Sequence, residues 1–253
     1  MKKQLLLLVM MLLPMMAMAD AVEIGGIYYN LFTKYKSAEV TKNPNNYSGA
    51  VDIPESFTYD GVVYSVTEIG SSAFAECTSL TSVTIPNTVT AIEHSAFEGC
   101  TGLTSVVVPN SVTSIDIFVF NGCTALTTVT IGNGIKKIGV EAFANCIVLR
   151  DFYCSAENVP SIKVITDLPY TDAFEGTPIG KATLHVPDGS INSYSQAEPW
   201  KYFGTIQGFN GASVTNAIWA EDGNAKIYDL NGRQVEHPLK GLYIKNGKKY
   251  VVK

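Results

Sequence analysis

A period of 23 residues runs through the middle of the chain and constrains its fold more than any other feature. Four apolar columns share this spacing and align without a gap: Ile69, Ile92, Ile115 and Ile138; Phe74, Phe97, Phe120 and Phe143; Cys77, Cys100, Cys123 and Cys146; and Leu80, Leu103, Leu126 and Leu149. Self-similarity at a fixed period is typical of solenoids, in which each repeat contacts only its neighbours. Residues 69–154 are therefore predicted to form four stacked units whose apolar columns make the core.

Each unit changes its hydrophobic period once. Phe74 and Cys77 are three residues apart, as on one face of a helical turn. Val83 and Ile85 are two apart, as on one face of a strand. Pro86 ends that strand, because proline cannot donate the next ladder hydrogen bond. The pattern predicts a repeat solenoid whose 23-residue units each contain a short helix and a strand.

Both ends of the array are expected to carry a cap, because exposed strand edges and apolar ends favour aggregation. Residues 20–68 are predicted to form an N-terminal β cap, with Asp60-Gly61 at the tip of a hairpin. Residues 155–211 are predicted to hold a divergent fifth coil, with a strand at Leu184 to Pro187, and a C-terminal cap. Four aromatic residues are expected to cover that end: Tyr194, Trp200, Tyr202 and Phe203.

The first nineteen residues predict export. Lys2 and Lys3 precede an apolar run from Leu5 to Met16, which ends in the small-residue pattern Ala17-Met18-Ala19. The run is about a dozen residues long, whereas a helix that crosses a bilayer needs about 20, so a cleaved signal peptide is favoured. We expect cleavage before Asp20, a cell-surface or extracellular location, and no transmembrane segment in the mature chain.

The charge balance argues against nucleic acid as a partner. Removal of Lys2 and Lys3 from the 18 basic residues leaves 16, against 23 acidic ones. A phosphate-binding surface needs clustered Lys and Arg, and the basic residues here are sparse. A protein is the expected partner.

The units resemble the leucine-rich repeats of BspA-type surface proteins. The pattern Ile-x-x-x-Ala-Phe-x-x-Cys-x-x-Leu-x-x-Val-x-Ile-Pro is present in residues 69–86, and it recurs in residues 92–109 with Val108 in place of the second Ile. The third unit departs from it, since Val119 replaces the Ala and Gly132 replaces the Pro. The resemblance implies a leucine-rich-repeat solenoid, display at the cell surface and adhesion to host proteins or other cells. It carries over no catalytic residues.

Residues 212–253 differ in composition from the repeats and predict a small β module. Asn231-Gly232 and Asn246-Gly247 suit type I′ hairpin turns between short strands. Residues 226–233 and 240–244 resemble the C-terminal sorting domain of type IX secretion substrates, which implies a role in export. The segment is shorter than that domain, so a truncated module that no longer sorts is the alternative.

The outward strand positions are the candidate ligand-binding surface, because the residues between core positions form two columns on a regular sheet. They are Ser82, Thr84, Ser105, Val107, Thr128, Thr130, Asp151 and Tyr153. A face that is already ordered suits a protein ligand, and Tyr153 is the best candidate for an interface anchor. Ser and Thr are also simply good exposed strand residues, so a face without a specific ligand is the alternative.

The remaining reactive side chains predict neither catalysis nor metal binding. His94, His185 and His237 are far apart, and none has a second His or Cys at ligand spacing. The chain lacks a Gly-x-Ser-x-Gly elbow and a Gly-rich phosphate loop. We therefore expect no enzyme activity, no cofactor and no metal.

Five cysteines in an exported chain raise the question of disulfides, and rungs about 5 Å apart would allow neighbours to bridge. The four repeat cysteines and Cys154 nevertheless fall on apolar core positions, where Cys behaves as a small buried hydrophobe. We expect free thiols and no disulfides.

The sequence thus favours an exported protein-binding or adhesion module that binds a host or cell-surface protein. Two alternatives stay open: a structural or assembly protein of the cell surface without a specific ligand, and a carbohydrate-binding protein. Sugar sites usually combine exposed aromatic rings with carboxylates or amides, and Tyr153 with Asp151 is a minimal pair of that kind.

Overall fold

The structure, a computed structural model, describes residues 21–162 and 172–209, together with the backbone of three short strands between residues 227 and 252. Within these residues, no helix has the length and apolar character needed to cross a membrane. The expected signal peptide lies outside the described residues, as do His237 and both Asn-Gly pairs of the tail.

Six strands form the N-terminal cap: β1 (Val22–Ile24), β2 (Ile27–Phe32), β3 (Ser37–Thr41), β4 (Gly49–Asp52), β5 (Ser56–Tyr59) and β6 (Val62–Ile69). β1, β2 and β3 pair antiparallel in that order, and β3 pairs parallel to β6. The predicted hairpin is confirmed, because β5 and β6 pair antiparallel across Asp60 and Gly61. Both residues have positive φ, at 47° and 72°, as a type I′ turn requires.

Two ladders of parallel strands follow, one on each side of the apolar columns. The longer strands are β7 (Leu80–Thr84), β9 (Ser105–Val108), β11 (Thr128–Ile131), β13 (Asp151–Cys154), β15 (Thr183–Pro187) and β16 (Thr205–Phe209). The two-residue strands are β8 (Ala91–Ile92), β10 (Ser114–Ile115), β12 (Lys137–Ile138) and β14 (Ser161–Ile162).

The strand register confirms the 23-residue repeat. Val106 of β9 pairs with Val129 of β11, which pairs with Phe152 of β13. β9, β11, β13, β15 and β16 are hydrogen-bonded in that order, whereas β7 pairs with β4 in a separate sheet. β8, β10, β12 and β14 continue the sheet that begins in the N-terminal cap. The strands are parallel because each unit returns to the same position one rung further along.

The prediction of a short helix in each unit is wrong, because tight turns occupy those residues. The Cys77 amide donates to the Phe74 carbonyl over 3.1 Å, which closes a turn. Ser72 and Glu76 have φ values of 56° and 59°, and a right-handed helix cannot contain such left-handed residues. The Phe74 amide instead donates to the Ala96 carbonyl of the next coil over 2.7 Å. The turns therefore tie neighbouring coils together along a third side.

The predicted phenylalanine column is confirmed. The rings of Phe74, Phe97, Phe120 and Phe143 stack nearly parallel, with centroid separations of 4.8, 5.2 and 5.2 Å. All four side chains are fully buried. Tyr47 extends the stack into the N-terminal cap, with its ring centroid 4.4 Å from that of Phe74. The column therefore joins the cap and the repeats in one core.

The cysteine column is buried beside it, and all five cysteines are free thiols in the structure. The Sγ of Cys100 lies 3.0 Å from the Phe74 carbonyl oxygen of the preceding coil, and Cys123 and Cys146 repeat this contact. In the fifth coil the Thr177 hydroxyl takes the same place and donates to the Phe143 carbonyl over 2.6 Å. The thiols thus fill an apolar column and also satisfy backbone carbonyls.

The C-terminal cap combines 3-10 turns with one short helix, α1 (Ile191–Gln196). Tyr194, Trp200 and Phe203 are buried, as predicted, but Tyr202 is 54% exposed and does not cover the end. Its hydroxyl lies 3.3 Å from the carboxylate of Glu198, so the ring stays at the surface. β16 was not predicted and adds a further rung against β15.

The tail contains β17 (Ile227–Tyr228), β18 (Gly241–Lys245) and β19 (Lys248–Val252), which pair antiparallel in that order. This agrees with the predicted small β module. Its resemblance to a sorting domain stays a prediction.

Candidate functional site

The outward residues of β9, β11, β13, β15 and β16 form two columns, which we call the ladder face. One column contains Ser105, Thr128, Asp151, Thr183 and Thr205, and the other contains Val107, Thr130, Tyr153, His185 and Gln207. Six of the eight candidate residues lie on this face. Ser82 and Thr84 lie on β7 and belong to the separate sheet with β4. The candidate surface is therefore divided between two sheets.

Exposure differs between the candidate residues. Val107 and Thr130 are only 8% and 7% exposed, so they offer almost no contact area to a ligand and their prediction as binding residues is not supported. Thr130 stands on β11, which has β9 and β13 on its two sides about 5 Å away, close enough to shield it, whereas Val107 stands on β9, the edge strand of this sheet. Asp151 and Tyr153 keep part of their surface exposed.

A cluster of polar and aromatic side chains occupies the C-terminal end of the ladder face. We call it the His185 cluster; it consists of Asp151, Tyr153, His185 and Gln207. The Nε2 atom of His185 lies 2.8 Å from Oδ1 of Asp151, and its Nδ1 lies 2.9 Å from Nε2 of Gln207. With the amide donating to Nδ1, the imidazole proton resides on Nε2 and is donated to the carboxylate. Three consecutive strands thus hold one carboxylate in a fixed position.

Tyr153 is fixed by stacking. Its ring lies 4.0 Å from the His185 ring, centroid to centroid, with an angle of 9° between the planes. The ring face on the β15 side is therefore covered. Thr130, the neighbour on the β11 side, is almost fully buried. A ligand can contact only the part of Tyr153 that these neighbours leave exposed.

Sequence reasoning missed His185 and Gln207. The insertion between the fourth and fifth coils breaks the 23-residue register, so Tyr153 and His185 are 32 residues apart although they pair directly. Gln207 lies on β16, the rung that was not predicted. Alignment of Leu184-His185-Val186 with Phe152-Tyr153-Cys154 would have placed His185 beside Tyr153.

Asp151 and Gln207 engage both imidazole nitrogens of His185, so neither nitrogen is left to contact a ligand. The side chain of His185 is also only 9% exposed, against 41% for that of Asp151. Among the residues that the structure describes, no group of three or more His, Cys, Asp or Glu side chains could hold a metal ion.

A separate cleft of about 670 Å³ lies beside the ladder face. Its lining includes Lys136, Ser155, Glu157, Pro187 and Phe209, and it shares no residue with the His185 cluster. Both it and the cluster lie toward the C-terminal end of the array.

Comparison with known proteins shows a leucine-rich-repeat fold. A sequence profile described as the BspA type leucine rich repeat region matches residues 55–165 in six copies. The crystal structure of the leucine rich repeat protein of T. pallidum is similar, with a TM-score of 0.51 and 24% identity over 67% of this chain and 73% of that chain. No curated protein sequence matches significantly.

Two further solved structures match with lower TM-scores. The chain is 25% identical to a leucine-rich repeat protein from Bacteroides ovatus, with a TM-score of 0.47, and spans 56% of its length. It is 23% identical to a leucine rich cell surface protein from Faecalibacterium prausnitzii, with a TM-score of 0.48, and spans 60% of its length. His185 and Gln207 lie beyond the residues that the repeat profile matches.

Proposed function

We propose that this leucine-rich-repeat protein is an exported protein-binding or adhesion module that engages a host or cell-surface protein through its ladder face. The observation that carries the proposal is the His185 cluster. It holds an exposed carboxylate and a tyrosine in fixed positions on a regular sheet. The exported, cell-surface location rests on the signal-peptide pattern of residues 1–19.

The energetics of association favour such a surface. A partner that binds flexible side chains must order them, at a cost of about 0.5–1.5 kcal/mol for each rotamer-rich side chain. On the ladder face that cost is reduced, because Asp151 is held by a hydrogen bond and Tyr153 by a stacked ring. Tyrosine is also enriched among the few residues that dominate protein interfaces.

The alternatives fit the cluster less well. A sugar ring stacks on an open aromatic face, and His185 covers one face of Tyr153. A structural protein without a ligand would need only good strand formers on its outer face, as Ser105 and Thr128 are. We also propose that the protein is not an enzyme and needs no cofactor, because the cluster lacks an arrangement for nucleophilic or metal-assisted chemistry.

The proposal is tested by probing arrays of host cell-surface proteins and of glycans with the secreted chain. Against any protein that binds, the double change Tyr153→Ala with Asp151→Ala should weaken affinity about thirtyfold, because truncation of an interface anchor costs about 2 kcal/mol. Thr84→Ala is the matched control, since Thr84 is an outward strand residue on the other sheet, and it should leave affinity unchanged.

Two outcomes would contradict the proposal. If only glycans bind, the carbohydrate hypothesis replaces it. If affinity for a protein survives the double change but falls in Tyr59→Ala, the N-terminal hairpin binds and the repeats are a spacer. Tyr59 suits that comparison because it is 40% exposed at the end of β5.

A further inference from the structure

We infer that the His185 cluster recognises a basic side chain of the protein partner, with the Asp151 carboxylate as the accepting group and arginine preferred over lysine. The inference rests on the proposed function and specifies its chemistry. His185 and Gln207 then act as positioning residues, because they fix the carboxylate while Asp151 contacts the partner.

Charge on the ladder face supports a cationic ligand. Of the ten outward residues, Asp151 alone carries a carboxylate, and none is Lys or Arg. Asp151 is flanked in its column by Thr128 and Thr183, whose hydroxyls can accept hydrogen bonds. The whole chain is also acidic, with a formal charge of −5, which favours approach of a basic partner.

The geometry supports a directional contact. The Asp151 side chain is 41% exposed, so its carboxylate is accessible while Oδ1 accepts from His185. A carboxylate has about four acceptor positions, and one hydrogen bond from imidazole leaves the others for a ligand. A planar guanidinium offers paired donors that match a carboxylate, whereas an ammonium is a point charge. Arginine therefore uses a fixed carboxylate better than lysine does.

The cluster also explains why His185 is almost buried on a surface column. Its ring stacks on Tyr153, and its two nitrogens contact Asp151 and Gln207. Only 9% of its side chain stays exposed. A histidine in that position cannot be the main contact for a ligand. It can hold the carboxylate and the tyrosine at a constant distance from each other.

The direct test is a titration of the full secreted chain with Nα-acetyl-arginine methylamide, monitored by backbone amide chemical shifts. The citrulline counterpart is the control ligand, because it keeps the shape of arginine and lacks the charge. We expect saturable shifts at Asp151, Thr183 and His185 with the arginine compound, weaker ones with its lysine counterpart, and none with citrulline.

Variants locate the site. Asp151→Asn should weaken binding of the arginine compound about tenfold, because a hydrogen bond to a charged group is lost. Asp52→Asn is the matched control; Asp52 is an exposed acid on the separate sheet and should not matter. His185→Phe keeps an aromatic ring beside Tyr153 but removes the donor to Asp151. It should weaken arginine binding several-fold while the fold, followed by the remaining amide shifts, stays intact.

The outcomes separate this inference from the proposed function. Equal shifts with arginine and citrulline, or unchanged arginine binding in Asp151→Asn, would overturn the inference. A protein partner whose affinity falls in Tyr153→Ala but not in Asp151→Asn would leave the proposed function standing without it. If the arginine compound binds at Asp151 but no arrayed protein binds the chain, the cation site stands and the proposed function fails.

Discussion

Phe97 lies in the middle of the aromatic stack, with a ring on each side. Its centroid is 4.8 Å from that of Phe74 and 5.2 Å from that of Phe120, and it is fully buried. Because the coils are held in register by hydrogen bonds, neighbours cannot easily collapse into a space left at this position. A single side chain thus supports two adjacent coils.

We predict that Phe97→Ala lowers the free energy of unfolding by about 3–5 kcal/mol, the usual cost of an aromatic-to-alanine change in a core. Denaturant unfolding followed by circular dichroism measures it. Tyr35→Ala is the control, since Tyr35 is 72% exposed. An unfolding midpoint equal to that of the wild type would contradict the column assignment.

Burial of the thiols also opposes their ionisation. Burial raises the pKa of Cys100 and of Cys146 to about 12, because the thiolate would lose its hydration. In the unfolded chain a thiol ionises near pH 8.5. The folded state therefore keeps its full thiol contribution to stability below about pH 8.5 and loses it progressively as the pH rises towards 12.

Two results are expected from this. Ellman titration of the native, unreduced protein should detect no reactive thiol at neutral pH, and denaturation should release all five. The free energy of unfolding should also be lower at pH 10 than at pH 7, and Cys100→Ala should reduce that difference. An intact mass lower by two hydrogens per cysteine pair would instead demonstrate disulfides.

At the scale of the element, the turn segments depend on left-handed residues at a repeating position. Glu76, Gly99, Gly122 and Asn145 occupy it in successive coils, with φ between 56° and 72°. Glycine adopts this conformation without steric cost, whereas other residues pay about 1–2 kcal/mol. The left-handed backbone at this position is therefore strained in the units with Glu76 and Asn145. It is unstrained in the two units that have glycine there.

Gly122→Ala is predicted to destabilise the fold by about 1–2 kcal/mol. The nearest atoms to an added Cβ would be 3.8 Å away, so the change reports the backbone conformation and not a clash. Gly180→Ala is the matched control, because Gly180 lacks a positive φ and also has room for a methyl group. Thermal unfolding compares the two variants. Equal midpoints would show that alanine adopts the left-handed conformation at position 122 without the expected strain.

At the scale of the whole molecule, stacked coils run from an N-terminal β cap to an aromatic C-terminal cap. Neighbouring coils are tied together by the two-residue strands and the turn segments, and from β9 onward also by the longer strands. The repeats contribute a rigid face, and the caps close the ends of the core. Export by residues 1–19 and sorting by the tail stay predictions.

We predict that the exported protein begins at Asp20. Mass spectrometry of secreted or envelope material measures the mature N-terminus, and an intact Met1 chain confined to the cytoplasm would contradict export. Deletion of residues 217–253 tests the tail separately. Loss of surface display would support a sorting role, whereas unchanged display would leave the tail as a small β module.

Side-chain periodicity determined most of the fold. The 23-residue columns of Ile, Phe, Cys and Leu predicted the register, and alternation at Val83 and Ile85 predicted the strands. Asp60-Gly61 predicted the hairpin for a local reason, because both residues accept positive φ. The helix was wrong because a spacing of three, as between Phe74 and Cys77, fits tandem turns as well as a helical turn. Periodicity does not reveal the sign of φ at Ser72 or Glu76.

Only two of the four residues of the His185 cluster were predicted as binding residues from the sequence. Asp151 and Tyr153 were predicted because strand alternation places them outward, but alternation did not reveal that Val107 and Thr130 are almost fully buried. His185 and Gln207 meet Asp151 only because β13, β15 and β16 pair in register after an insertion of irregular length. Local chemistry determines which face a residue takes. Only the tertiary structure decides which residues share a face, because strand pairing joins segments whose separation in sequence follows no period.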